Sequence, residues 1–488
     1  MSLRSELSRM DAVTTAREIR ARRLSAVEVT DAALERMTAL DSTLHAFCTP
    51  APEVAHAAAR RIDDELRAGR DPGPLAGVPI GIKDLVSTAG IRTTSASWAY
   101  ADFIPDEDDV VVERLRAAGA VILGKTNATE FGYSGTSDNP VFAATRNPWN
   151  PALSPGGSSA GSGAAVAAGI CPFAIGSDGG GSVRIPASFC GLYGIKASMG
   201  RVPLYPGCKD ERYPGVSSWE SLEHIGPLSR TVADSALMLS VITGPDDRDR
   251  YSLPAADFDW LEALNGDLRG LRVAYSEDFG YVSVDPRVRE IARRAVKVFE
   301  QLGCVVEEAN PGWDNPASVF EGLMFNETDL RGMRKLADEL GDRMSPHLVA
   351  GLRRQWTAEE FTDAMVGRKR VCNAMWRFMR NYDLLLTPTL AALPFEIGPL
   401  GKLGPSMIDG KAVSETHWLS FTFPMNLTGQ PAATVPAGWT EDGLPVGLQI
   451  VGRHLADRLV LRASAAFEAA APWQHRWPKV SFSEGQRP

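Results

Sequence analysis

The chain has 488 residues, 44% of them hydrophobic, with a formal net charge of −9 at pH 7. The hydrophobic share is ample for a large core. The acidic balance speaks against a strongly electrostatic nucleic-acid binder, and no run approaches the roughly 18 apolar residues of a membrane-spanning helix.

In chain order, Met1 to Leu7 is polar and has no apolar signal-peptide region, so a cytoplasmic protein is expected. Residues 10–48 show helical periodicity, with Ser25-Ala-Val-Glu28 as a capping box. A second helix is predicted over 52–68. Val78 to Ile82 reads as a short apolar strand, 110–118 as a helix and Val121 to Leu123 as a strand. A Gly/Ser-rich segment follows, and 160–168 reads as a helix of small residues able to lie close to a sheet. Ala174-Ile175 is a strand, and 231–242 a helix. Then comes a β-α-β pattern: a strand over 271–275, a helix from N-cap Asp285 and Pro286 to Leu302, and a strand over 304–308. Residues 315–380 are mostly helical. Leu384 to Leu386, 432–436 and 446–451 read as strands, the last two joined through Asp442-Gly443. Alternating strands and helices predict an α/β fold with a sheet covered on both faces. No linker or repeat interrupts the chain, so one domain over 1–488 is expected, with 315–380 as a helical elaboration.

Three motifs bear on chemistry. Gly119-Ala-Val-Ile-Leu-Gly-Lys-Thr126 fits the pattern of a phosphate-binding loop, but the residues between its glycines are those of a strand. Strand then turn is the reading adopted. Gly157-Ser-Ser-Ala-Gly161 fits the nucleophile elbow of α/β-hydrolases, which needs a preceding strand and a later His and Asp. The stretch before it is broken by prolines, and none of the histidines sits in a suggestive context; a Ser-His-Asp esterase is the minor alternative. The six cysteines (Cys48, Cys171, Cys190, Cys208, Cys304, Cys372) form no CxxC pair, so neither a disulfide framework nor a zinc site is expected.

The third motif is a combination: Gly77-Val-Pro-Ile-Gly-Ile-Lys-Asp84, Gly156-Gly-Ser-Ser159 and Asp178-Gly-Gly-Gly-Ser182. With Gly124-Lys-Thr-Asn127, Gly226-Pro-Leu-Ser-Arg-Thr-Val-Ala-Asp234, Pro424-Met-Asn426 and Gly443-Leu-Pro-Val-Gly-Leu-Gln449, the chain resembles the amidase signature family of serine hydrolases from about residue 10 to about 470. The resemblance implies that family's fold, a large mixed β-sheet covered by helices, with a core signature region at about 75–235.

It further implies a Ser-cisSer-Lys catalytic set: Ser182 as nucleophile, Ser158 after a cis peptide bond as the bridging serine, and Lys83 as the base. A base must be neutral to accept a proton, so the pKa of Lys83 must fall from the usual value of about 10.4, and the apolar approach Val78-Pro-Ile-Gly-Ile82 offers burial that would lower it. Gly179, Gly180, Gly181 and Ser182 are the implied oxyanion-hole amides. Ser159 is read as a supporting donor, and Asp178 and Arg184 as a pair that either fixes the loop or faces solvent. The family often has Thr or Ile where Gly179 stands, and Lys-Pro-Thr where this chain has Lys196-Ala-Ser198. The chemistry implied is acyl transfer without metal or organic cofactor.

The family's substrates are amides and carbamates, with ester cleavage not separable from amide cleavage in this sequence, and its members include the A subunit of a tRNA-dependent amidotransferase, which works with partner subunits. A stand-alone amidase, monomer or homodimer, acting on a small substrate without nucleic acid or membrane, is favoured here. Aromatic residues in the less patterned regions, among them Trp219, Phe320, Phe325, Trp356 and Trp418, point to an apolar or aromatic substrate group. Gly132, Tyr133 and Trp418 are the candidate pocket residues.

Overall fold

The computed structural model describes residues 6–207, 212–215 and 219–480. Cys208 and part of the 205–219 stretch lie outside these residues. The predicted elements form. Ser25 and Glu28 make the expected capping box, and Asp285 caps the helix Pro286–Gln301 by accepting from the Arg287 amide. The elaboration over 315–380 consists of the helices Ala317–Asn326, Leu330–Leu340, Pro346–Arg353 and Ala358–Met379.

The strands are β1 (Phe47–Pro50), β2 (Pro79–Lys83), β3 (Val121–Thr126), β4 (Phe173–Ser177), β5 (Tyr193–Lys196), β6 (Ile225–Ser229), β7 (Arg272–Tyr275), β8 (Val305–Glu308), β9 (Leu384–Pro388), a small hairpin of β10 (Met407–Ile408) and β11 (Lys411–Ala412), β12 (Ala432–Trp439) and β13 (Pro445–Gly452). Eleven of them form one sheet in the order β1-β3-β2-β4-β6-β5-β12-β13-β9-β7-β8. The sheet is mixed: β2 runs parallel to β3 and β4, while β6, β5, β12 and β13 alternate in direction. Strands from the first half of the chain occupy one side and strands from the second half the other, with β5 and β12 as the seam.

Four differences from the sequence reading have physical causes. β1, β5 and β6 are only four or five residues long; β5 and β6 are buried on both faces, so they show no alternation, and β6 contains Gly226 and Pro227, which mask a strand signal. The helix Arg184–Cys190 follows a glycine run and contains Pro186.

The small-residue helix, Ala160–Ala167, is buried along its whole length. Its glycines explain how it gets so close to its neighbours. A Cβ on Gly161 would overlap the backbone of Ala46 and Asn127, and one on Gly163 would stand 2.8 Å from Pro186 Cβ. Packing this tight brings the loop before the helix, which carries Ser158, against the ends of β2 and β4. Around the sheet, fully buried side chains such as Ile80, Ile82, Phe173 and Leu228 form the core, each stabilising the fold by about 1.5–3 kcal/mol relative to exposure. The four helices of the elaboration pack around Phe325, Met333, Leu348 and Val371 in a second cluster.

Candidate active site

Lys83 is the last residue of β2, and Ser177 the last residue of β4, its parallel neighbour; Ile82 pairs with Ile175. The two side chains therefore meet at the carboxyl ends of adjacent parallel strands, where α/β sheets commonly place their ligands. Lys83 is completely buried. Its Nζ lies 2.7 Å from Ser158 Oγ, 2.8 Å from Ser177 Oγ and 3.4 Å from the Ser177 carbonyl oxygen. Burial pulls its pKa down from 10.5 to about 8, against the opposing pull of Glu223 and Asp178. The geometry suits a base. A neutral amine has two N–H donors and one lone pair; with both donors taken by Ser177, the lone pair is left for the Ser158 hydroxyl.

Ser158 follows a cis Gly157–Ser158 peptide. Gly157 is confined, because a Cβ there would overlap the Thr136 carbonyl oxygen. The Ser158 carbonyl accepts from the Thr129 amide at 3.3 Å. Ser159 supports the site through Ser177: its hydroxyl donates to the Ser177 carbonyl and accepts from the Ser177 amide, both at 3.2 Å.

Ser182 sits at the end of the glycine run and is 7% exposed, against 1% for Ser158. Among the described residues its hydroxyl makes no hydrogen bond, so the lysine–serine contact is formed while the serine–serine contact is not. The amides of the loop divide. Gly181 donates to Asp178 Oδ1 at 2.7 Å, which corrects its expected place among the oxyanion donors: its N–H is already engaged. The amides of Gly179, Gly180 and Ser182 have no protein acceptor among the described residues.

Asp178 and Arg184 form a completely buried pair, which decides between the two expected settings. Burial pushes the Asp178 carboxyl up, but the charge and hydrogen bonds of Arg184, with Lys196 and Asn426, overcome this and hold it well below the usual range. Arg184 Nε and Nη2 reach the two Asp178 oxygens at 2.9 and 2.8 Å, Nη2 also donates to Asn426 Oδ1 at 2.7 Å, and Nη1 donates to Gln449 Oε1 at 2.6 Å. The C-terminal motifs thus clamp the glycine loop that carries Ser182.

The pocket candidates fare differently. Gly132 borders the site: a Cβ there would stand 3.4 Å from Ser158 Oγ. Tyr133 is buried edge-on to Trp219, with ring centroids 4.6 Å apart, and its hydroxyl is 2.5 Å from Thr328 Oγ1. Trp418 is corrected. It has no exposed surface, stacks on Phe189 at 5.5 Å and donates from Nε1 to the Leu403 carbonyl, so it is core and not a pocket wall. Instead Trp219 and Phe320 press on the nucleophile loop; a Cβ on Gly180 would stand 2.7 Å from Phe320 Cζ.

Neither decoy motif forms a site. The 119–126 stretch becomes β3, and Lys125 points to the Val86 carbonyl and, at 2.6 Å, to Thr88 Oγ1. Ser159 is preceded by loop and by no strand, and among the described residues no histidine bonds to Ser158, Ser159 or Ser182; His224 is engaged with the Leu222 carbonyl and Lys196. Sequence reasoning missed Ser177 and Glu223. A serine inside a Gly/Ser run has no periodicity to mark it, and Glu223 lies in a loop far from Lys83 in sequence. Among the described residues no helix is long and apolar enough to cross a membrane.

Comparison with known proteins gives the family. The family model described as Amidase matches residues 28–461. An acylamidase of Rhodococcus erythropolis is 40% identical over 485 residues, covering 97% of this chain and 98% of that one. The A subunit of the glutamyl-tRNA(Gln) amidotransferase of Carboxydothermus hydrogenoformans is 36% identical, covering 97% of this chain and 100% of that one. The crystal structure of a bacterial aryl acylamidase of the amidase signature family superposes with a TM-score of 0.88 at 31% identity, covering 95% of this chain and 96% of that one. The chain belongs to the amidase signature family, hydrolases that cleave amide carbon–nitrogen bonds.

Proposed function

We propose that this chain hydrolyses small amides through an acyl-enzyme on Ser182, with Ser158 and Lys83 as its proton relay. The 2.7 Å contact between the buried Lys83 amine and the Ser158 hydroxyl carries the reading. Neutral Lys83 takes the Ser158 proton as Ser158 takes that of Ser182. The Ser182 oxygen then bonds to the amide carbon. The amides of Gly179, Gly180 and Ser182 receive the oxyanion, each worth about 3–4 kcal/mol if it behaves as oxyanion donors generally do. On collapse the carbon–nitrogen bond breaks and the proton returns through Ser158 to the leaving amine. Water repeats the relay to release the acid.

The substrate is read as carrying an apolar or aromatic group, because Trp219 and Phe320 wall the nucleophile loop, Tyr133 packs edge-on against Trp219 and Phe320 stacks on Phe423 at 5.1 Å. Carbamates and esters present the same carbonyl and belong to the same proposal. The chain is read as one catalytic unit over 1–488, a cytoplasmic monomer or homodimer. The amidotransferase relative, 36% identical over nearly its whole length, supports a second reading as a glutaminase that needs partner subunits. A substrate panel on the isolated chain separates the two. Turnover of anilides and primary amides without partners is expected; turnover of glutamine alone, and only with partners added, would replace the first reading by the second.

A further inference from the structure

Beside Lys83 lies a second ionisable group that the relay does not use. Glu223 is buried, 6% exposed, in the loop before β6. The Ser177 hydroxyl accepts from Lys83 Nζ at 2.8 Å, and Ser177 and Glu223 line the same small cavity. On its other flank the carboxylate lies against the nucleophile loop: a Cβ on Gly179 would stand 2.7 Å from Glu223 Oε2. Two cavities of about 10 Å³ border Glu223, one lined with Asp109 and Ser177 and the other with His224, Asp249 and Tyr251, each about large enough for one water molecule. The charges that act on it are Lys83, which is in no ion pair among the described residues, and Asp178, which is matched by Arg184; the carboxylates Asp109 and Asp249 border the same cavities.

We propose that Glu223 is a positioning residue for the amide-cleaving reaction: placed beside Ser177, the partner of Lys83, it sets the charge on Lys83 and so the pH at which the relay becomes competent. The inference rests on the assignment of Lys83 as base. Burial pushes the Glu223 carboxyl up to about 7, and Lys83 opposes that push. Groups this close titrate as a pair. An ionised Glu223 favours the ammonium and delays the neutral amine that the relay needs. Removing its charge must therefore let Lys83 lose its proton at lower pH.

The test is the pH dependence of Ser182 capture by a fluorophosphonate, followed by intact mass on the full chain, which needs no knowledge of the substrate. Glu223→Gln is expected to move the acid limb of the capture rate down by about one pH unit, as loss of a close opposite charge does. Glu223→Asp, which restores the charge, is expected to bring the limb back toward the wild-type position. A Glu223→Gln limb that coincides with wild type, with the rate merely lowered at every pH, would overturn the proposal. So would a Glu223→Asp limb displaced as far as that of Glu223→Gln. Lys83→Ala distinguishes the deeper failure: if it is captured at the wild-type rate with the wild-type limb, the base assignment itself is wrong.

Discussion

Lys83 and Lys125 stand on neighbouring parallel strands, with Ile82 paired to Lys125. Both are completely buried, and burial pulls both from 10.5 to about 8. By these measures they are twins. Their surroundings differ. Lys83 faces hydroxyls, Ser158 and Ser177, which can accept and pass on a proton. Lys125 faces the Val86 carbonyl and Thr88, with Asp84 and Cys48 nearby. A carbonyl oxygen has no proton to give, and Thr88 already donates to the Val86 carbonyl at 3.1 Å. A lowered lysine pKa is therefore a product of burial and no sign of catalysis by itself. What singles out Lys83 as the proposed base is a donor at hand that leads toward Ser182.

The comparison can be broken in order of effect. Ser182→Ala and Lys83→Ala are both expected to lower turnover of an anilide by about 10,000-fold or more, because residues acting as a unit fail together, while circular dichroism stays native. Lys125→Met is expected to do the reverse. It removes the donor to the Val86 carbonyl and Thr88 Oγ1 and costs about 1–3 kcal/mol of stability, seen in a lowered denaturation midpoint, while the folded fraction keeps the wild-type acid limb. A Lys125 variant that is stable and inactive would dissolve the distinction.

The next effect is on pH. Turnover is expected to rise through an apparent pKa of about 8, low where Lys83 is an ammonium and level above pH 9 or so. Stability carries the matching sign. The folded pKa of Lys83 lies below the unfolded value, so its burial costs stability below about pH 8, and this cost disappears as pH rises toward 10.5. Lys83→Met, melted at pH 7 and at pH 10, is expected to compare more favourably with wild type at the lower pH. The smallest effect is expected at the pocket. Phe320→Ala would raise KM for an aryl acylamide by about tenfold, some 1–2 kcal/mol of lost apolar contact, with kcat little changed and KM for an acetamide hardly moved. Equal losses on both substrates would remove Phe320 from the specificity wall.

The residues proposed as catalytic could be singled out because several separate motifs kept their order, and the long elements because their periodicity spans several turns. The rest was hidden for physical reasons. Ser177 looks like any serine of a glycine-rich loop until β2 and β4 lie side by side. Glu223 acquires meaning only when 140 residues of chain have folded back on Lys83. Composition cannot tell an aromatic on a pocket wall from one in the core, so Trp418 and Phe320 looked alike. The amide of Gly181 looked as free as its neighbours, since nothing in a run of glycines shows that Asp178 has claimed one of them.

Arg184 joins the nucleophile loop to Asn426 and Gln449, which lie 242 and 265 positions further along the chain. On a ribosome those partners emerge later than the loop they hold, by something on the order of ten seconds or more at ordinary rates of synthesis. Until then the loop has its serine and its glycines but not its clamp, and β12 and β13, which join β5 to β9, are not yet made. A nascent chain is thus expected to carry a nucleophile without a working hydrolase. Ribosome-stalled chains ending near residue 420 should resist fluorophosphonate, and chains released after residue 480 should react.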